Sequence, residues 1–169
     1  MRISRRRLPR WGPRRTRPMD LTWVTPRIAV GGGIWTDANM AKVAAAGVTH
    51  IIDMQVEFDD TPLAEGYGIE VFWNRVDDDF QPKPAEVFQP AVEFALAALE
   101  NPEHKILTHC AAGVHRAPMM ALALLRVQGW DLQEAMELIE QRRPVVDFAD
   151  VYVRSVEGFI RNYAGAGKP

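Results

Sequence analysis

Apolar positions along this chain fall into alternating short and long runs. Trp23-Val24 and Ile28-Ala29-Val30 read as two short strands around a Pro26 turn that ends in Gly31-Gly32-Gly33. Val48 to Met54 and Ile69 to Trp73 are compact, β-branched runs of strand length. Lys105 to Thr108 is a further strand of the same kind. Between them lie longer stretches with helical spacing. The first is capped by Thr36 or Asp37, runs through Ala46 and stops at Gly47. The second runs from Pro84 to Glu100, with Val87, Ala91, Phe94, Ala95 and Ala98 on one face. The third spans Ala117 to Gln128. The fourth starts at Asp131 and Glu134, in a capping-box pattern, and reaches Gln141. The last covers Tyr152 to Tyr163. Alternation of this kind, with nearly continuous apolar strands, predicts an α/β domain: a mainly parallel central sheet flanked by helices. Functional residues of such folds gather beyond the carboxyl ends of the strands.

The 169 residues are enough for one domain with a core, and no run approaches the length of a membrane span. A single cysteine cannot form an internal disulfide, which makes a reducing, cytoplasmic setting the expectation. Charge is uneven. Residues 1–18 hold eight arginines and no acid; with a net charge of −2 for the whole, residues 19–169 carry −10. The division expected is a disordered basic arm over 1–18 and one domain over 19–169. Pro9, Pro13 and Pro18 interrupt the arm, and it has no apolar face. It reads as a leader before Met19, or as a segment that contacts nucleic acid or anionic lipid. The acidic body argues against a polyanion as main partner. The triple glycine lacks dinucleotide-binding spacing, so its role is turn chemistry.

Residues 109–116, His-Cys-Ala-Ala-Gly-Val-His-Arg, carry the chemistry. A strand leads in and a helix leads out, the layout of an anion site built from loop N–H groups and a helix N-terminus. A cysteine there has its thiolate stabilised by that field, and an arginine closing the loop offers a planar fork for two phosphate oxygens. Cys110 is thus a nucleophile candidate, Ala111, Ala112, Gly113, Val114, His115 and Arg116 form the phosphate cradle, and Arg116 is the clamp. The Cys-x5-Arg spacing alone is only moderately specific, since rhodaneses and cysteine-dependent arsenate reductases also use short anion loops after a strand. No spacing typical of metal ligands is present, and neither a metal nor another cofactor is implied.

The pattern H-C-x-x-G-x-x-R resembles the signature loop of the cysteine-based protein tyrosine phosphatase superfamily, and the layout resembles its dual-specificity branch over residues 20–162. Trp23 to Gly31, Gly47 to Ile52 and Gln141-Arg142-Arg143-Pro144 are similar, in the same order, to stretches of that branch. The resemblance implies a phosphatase that acts through a phosphocysteine on phosphorylated proteins or small phosphoesters. It implies a general acid about thirty residues before the cysteine, in Asp77-Asp78-Asp79. Setting Phe88 and Phe94 against the family's aromatic pair puts Asp78 in register, with Asp77 and Asp79 as alternatives. It further implies that His109 is buried and hydrogen-bonds the loop. His115 is expected to point to solvent or to border the pocket, with solvent preferred; His50 and His104 read as structural. Ala117 departs from the serine or threonine usual after the arginine, which leaves turnover of the intermediate without that hydroxyl. That departure makes a catalytically weak phospho-binding module an alternative. Phosphoglucan is another, since Arg-Ala-Pro also occurs in glucan phosphatases. Phosphoinositide is a third, disfavoured by a loop without lysine.

Overall fold

The computed structural model describes residues 17–166, and side chains through 163. All but the last two residues of the basic arm therefore lie outside the described residues. Five strands form one sheet: β1 (Leu21–Trp23), β2 (Ile28–Gly31), β3 (His50–Gln55), β4 (Glu70–Val76) and β5 (Ile106–His109), in spatial order β1-β2-β5-β3-β4. Only β1 runs antiparallel, pairing with β2 across the Pro26 turn. The other pairs are parallel. The first strand is Leu21–Trp23 where the sequence pointed to Trp23-Val24; Val24 already belongs to the turn, its N–H bonded to the Ile28 carbonyl.

Strand alternation sorts the core into two layers. Ile28, Val30, Ile52, Met54 and Ile106 face one side, while Ala29, Ile51 and Leu107 face the other. The second side is covered by α1 (Asp37–Ala45), a short α2 (Thr61–Ala64) and the 3-10 turn Glu65–Tyr67. Neither α2 nor that turn was foreseen, being too short for a periodic signal. The first side carries α3 (Ala85–Leu99), α4 (Arg116–Val127), α5 (Leu132–Arg142) and α6 (Asp150–Ala166). Helix α4 is central: Arg116 to Leu125 are all buried. The buried face of α3 is Phe88, Ala91, Val92, Ala95 and Ala98; Ala91, Ala95 and Ala98 are as expected, while Phe88 and Val92 replace Val87 and Phe94, which are only partly covered. Two caps follow the sequence: the Thr36 hydroxyl accepts from Asn39 N–H, and the Asp131 carboxylate accepts from the N–H groups of Gln133 and Glu134.

In parallel register Gly31 lies opposite His109 on one side and Asp53 opposite it on the other. The segments leaving β2, β3, β4 and β5 therefore emerge together at the carboxyl edge, around Cys110. No helix among the described residues is long and apolar enough to cross a membrane.

Candidate active site

In the loop between β5 and α4, each carbonyl from Ala111 to His115 accepts a hydrogen bond from the surrounding protein. The Ala111 carbonyl accepts from Gly33 N–H at 3.0 Å, and the Val114 carbonyl accepts from Asp147 N–H at 3.0 Å. Arg143 takes the two between them: its Nε donates to the Gly113 carbonyl at 2.8 Å and its Nη2 to the Ala112 carbonyl at 3.1 Å. The His115 carbonyl accepts from Met119 N–H. By contrast, no N–H from Ala111 through Arg116 donates to another group of the described residues. Six consecutive donors are thus left without a protein acceptor among the described residues, at the N-terminus of a twelve-residue helix. This is an anion cradle by construction.

Glycine makes the cradle sterically possible. Gly113 has φ +65°, and a Cβ there would stand 2.5 Å from Arg143 Nη2 and 2.6 Å from the Gly31 carbonyl oxygen. Gly31 and Gly32 serve close approach as well, since a Cβ on either would meet an Asp20 oxygen at 2.6 Å. The triple glycine is therefore a packing surface for the loop, not simply a turn. Arg143 is itself held by Asp20 through two 2.8 Å bonds and by the Thr22 hydroxyl at 3.0 Å. The hydrogen bonds from Arg143, its charge and the Gly32 N–H outweigh partial burial and hold the Asp20 carboxyl below its ordinary pKa. Arg143 was legible only as part of a resembling stretch, without a role.

Cys110 sits at the floor of the cradle, 3% exposed, its N–H bonded to the Gly31 carbonyl at 3.3 Å. Arg116, also 3% exposed, opens α4. A guanidinium has five N–H donors. Nη1 donates to Glu57 Oε2 at 3.0 Å and to the Val76 carbonyl at 2.8 Å; Nη2 donates to Glu57 Oε1 at 2.7 Å. Nε has no partner among the described residues, and neither has the second N–H of Nη2. These two share one edge of the planar group, so a fork for two oxygens remains while Glu57 fixes the other edge. Burial opposes the Arg116 charge, and Glu57, Cys110 and Asp78 outweigh it, keeping its pKa above the ordinary value. Glu57 is depressed in turn, chiefly by its bond from Arg116. Sequence reasoning missed Glu57, one of three acids between Glu57 and Asp60 with nothing to separate them.

Of the three candidate acids, only Asp78 reaches the loop. Its Oδ2 is 2.9 Å from His115 Nδ1 and its Oδ1 accepts from the Tyr152 hydroxyl at 2.9 Å. Asp79 turns away to Lys83 Nζ at 2.5 Å and to Gln81 N–H, while Asp77 is exposed. His115 therefore borders the pocket, against the preference for solvent: its side chain is 22% exposed, pinned between Asp78 and Asp147.

His109 is fully buried, as expected, but its bonding is not to the loop. Nε2 is hydrogen-bonded to Asp60 Oδ2 and lies 3.6 Å from Asp53 Oδ1. Burial pushes the Asp53 carboxyl up to about 7, with the neighbouring Asp60 adding to the effect and His109 opposing it. Although no ligand spacing shows in the sequence, the fold brings the donor atoms of Asp53, Asp60 and His109 within 4.8 Å of one another, the one such group among the described residues. His109 Nε2, the nitrogen facing both acids, is already bonded to Asp60, so the group is tied together by a proton. His50 and His104 play structural parts, through Thr49 Oγ1 and the Ala98 carbonyl respectively.

The sequence profile described as the catalytic domain of dual specificity phosphatases matches residues 33–161. The chain belongs to the dual specificity phosphatase family. Among curated relatives it is 32% identical over 111 residues to dual specificity protein phosphatase 26 of Rattus norvegicus, covering 64% of this chain and 53% of that one. It is 30% identical over 80 residues to the protein-tyrosine-phosphatase IBR5 of Arabidopsis thaliana, covering 47% of this chain and 31% of that one. The chain thus spans about half or less of the length of these relatives. Human DUSP28 superposes with a TM-score of 0.74 at 20% identity, covering 87% of this chain and all of that one. PTPMT1 in complex with PI(5)P superposes with a TM-score of 0.76 at 18% identity, covering 88% and 99%. Both share the fold of this cysteine-based phosphatase family.

Proposed function

We infer that this phosphatase-family domain is a metal-independent phosphomonoester hydrolase acting through Cys110, with phosphotyrosine and phosphoserine or phosphothreonine of proteins as substrates. The single observation that carries the reading is the cradle: six unpartnered backbone donors and one free edge of Arg116 belong to the loop that follows a buried cysteine. Three non-bridging phosphoryl oxygens fit that donor set, and the donors need not reorganise as charge shifts during transfer.

In the first step the Cys110 thiolate attacks phosphorus in line. The S–P bond forms, the P–O bond to the leaving group breaks, and Asp78 gives its proton to the departing oxygen. In the second step water attacks phosphorus, the S–P electron pair returns to sulfur, and the Asp78 carboxylate takes the proton from water. Contact with His115 supports Asp78 over its neighbours as the acid. The rim supports a peptide over a polyanion. Trp35 and Phe80 stand 44% and 50% exposed beside the cradle, the nearby charges include Asp77, Asp78 and Asp147, and Lys83 is engaged by Asp79. PTPMT1, by its PI(5)P complex, keeps a phosphoinositide as the second reading.

A panel of phosphopeptides, phosphoinositides and phosphoglucan, assayed with wild type and variants, tests this. Cys110→Ser and Arg116→Ala should each abolish turnover, and EDTA should leave it unchanged. Asp78→Asn should slow poor leaving groups by about 10²–10⁴-fold. Turnover surviving in Cys110→Ser, or a wild type that binds phosphopeptide without hydrolysing it, would overturn the reading. A phosphoinositide cleaved far faster than any peptide would replace the substrate class.

A further inference from the structure

His115 occupies a variable position of the loop, yet it is the most connected side chain at the pocket mouth. It touches three residues on two segments. Nδ1 lies 2.9 Å from Asp78 Oδ2, on the loop that follows β4. Nε2 lies 3.4 Å from Asp147 Oδ2, and the Asp147 N–H is bonded to the neighbouring Val114 carbonyl. The edge of its ring meets Phe80, with centroids 4.9 Å apart at 73°. Phe80 in turn stacks on Tyr152, 5.8 Å away and nearly parallel at 5°.

Tyr152 closes the circuit. Its hydroxyl donates to Asp78 Oδ1 at 2.9 Å and accepts from Phe80 N–H at 3.1 Å. The residue is 1% exposed, and burial pushes its pKa up to about 12, so it remains a phenol donor at any working pH. Phe80 has φ +55°, a conformation a phenylalanine adopts only when its surroundings impose it. The surroundings here are the Tyr152 hydroxyl, the Tyr152 ring and the His115 ring. The bend that turns the Asp78 segment toward the cradle is held by the same two side chains that hold its carboxylate.

We propose that His115 and Tyr152 are positioning residues that latch the Asp78 carboxyl onto the phosphate loop, so that the acid is assembled before substrate arrives. The inference rests on the phosphatase reading above and assigns these two residues a part in its proton transfer. His115 immediately precedes Arg116, so the latch fixes the acid relative to the phosphate clamp through a single residue. Each Asp78 oxygen has one protein partner. When Asp78 has given its proton to the leaving oxygen, Tyr152 O–H and His115 Nδ1–H donate to the carboxylate that remains. Both residues act through Asp78 and neither is required to touch phosphorus.

The test compares two substrates of the full chain, an aryl phosphate with a good leaving group and a phosphothreonine peptide with a poor one. His115→Ala should lower kcat on the peptide by about 10–100-fold, a share of what a general acid supplies, and fall much less on the aryl ester. His115→Asn, whose amide N–H sits at the reach of Nδ1, should recover most of the loss; His115→Gln, which reaches to Nε2, should not. Tyr152→Phe removes one hydroxyl without altering the ring stack, and should show the same dependence on leaving group. It keeps the test decisive should His115→Ala disturb the loop. In the Asp78→Asn background neither change should cost further rate, because the group they position is gone. Equal losses on both substrates, or losses that add to that of Asp78→Asn, would overturn the latch while leaving the phosphatase reading intact. A wild type without Cys110-dependent turnover would overturn both.

Discussion

Arg116 shows how one side chain serves two masters at this site. One edge is given to Glu57, and the other has no partner among the described residues and, in the proposed mechanism, takes the phosphate. The charge on Glu57 matters for direction more than for strength, because its side chain is 44% exposed and solvent screens the pair. Glu57→Gln keeps one acceptor oxygen and removes the charge. We expect kcat/KM to fall by roughly three- to tenfold, the range of one ordinary hydrogen bond, because solvent screens the exposed pair. A rise in kcat/KM would show that Glu57 competes with phosphate for Arg116 instead of orienting it. Arg116 depresses the Glu57 carboxyl, so this pairing is fully present above the ordinary glutamate value and is lost only as pH falls through the lower folded one. The acid limb of the wild-type profile should therefore not be set by Glu57 near its ordinary pKa. The same scale explains what a lone sequence hides. Cys110, Arg116 and Gly113 are recognisable because their pattern is local: a cysteine, an arginine and a tight-turn glycine within eight residues. Glu57, Arg143 and Tyr152 act across thirty residues of chain or more, and each looks like an ordinary surface acid, base or core aromatic until the sheet brings it home.

The strand-loop-helix element is where the sequence spoke most clearly and where one departure carries consequences. Alternation and apolar runs placed β2, β3, β4 and β5, and capping residues placed α1 and α5, because those signals depend on near neighbours. Sheet order, the hidden α2 and the rotation of α3, whose buried face keeps only Ala91, Ala95 and Ala98 of the expected set, depend on packing partners that a lone sequence does not show. One signal was available and unread: Asp53 interrupts an otherwise apolar stretch, Ile51-Ile52-Asp53-Met54, and an acid inside a buried strand marks a partner or a function. At the start of α4, Ala117 is fully buried in the same core cluster as Cys110. It has no hydroxyl to meet the thiolate as the phosphocysteine breaks, while the loop N–H groups and the helix dipole remain. The first step should proceed and the second should lag, giving a burst of product about equal to enzyme before a slower steady state. Ala117→Ser should raise the steady-state rate, with a ceiling of about ten- to hundredfold, without enlarging the burst. The added hydroxyl enters an apolar layer, so melting temperature should fall as rate rises. Absence of both burst and rate gain in rapid-quench kinetics would mean that another group already supports the leaving sulfur.

Across the whole molecule, the buried Asp53, Asp60 and His109 couple the floor of the active site to the pH dependence of folding. Asp53 is fully buried, bonded to the N–H groups of Gln55 and Asp60, and stands on β3 opposite His109 of β5. In the unfolded chain an aspartate titrates near 3.9; in the folded one Asp53 is pushed up to about 7 by burial. Between those values the folded state holds a proton that the unfolded state has lost. Stability from this group is therefore complete below about pH 4 and declines as pH rises through about 7. Three pH units at 1.36 kcal/mol each set a ceiling of about 4 kcal/mol on the decline. Asp53→Asn removes the titration. It also gives up one acceptor, which costs roughly 1–3 kcal/mol at every pH and leaves the slope untouched. Urea unfolding of both proteins at pH 4.5, 6 and 8 separates the two effects. The free-energy gap between them should shift steadily in favour of Asp53→Asn as pH rises, and parallel curves would show that the proton is held elsewhere in the cluster. Because His109 directly precedes Cys110 and is anchored by Asp60 from the loop that carries Glu57, a loosening of this cluster at alkaline pH would reach the nucleophile and its clamp together. Loss of activity on the alkaline side should then track the loss of stability in wild type, and the two should separate in Asp53→Asn.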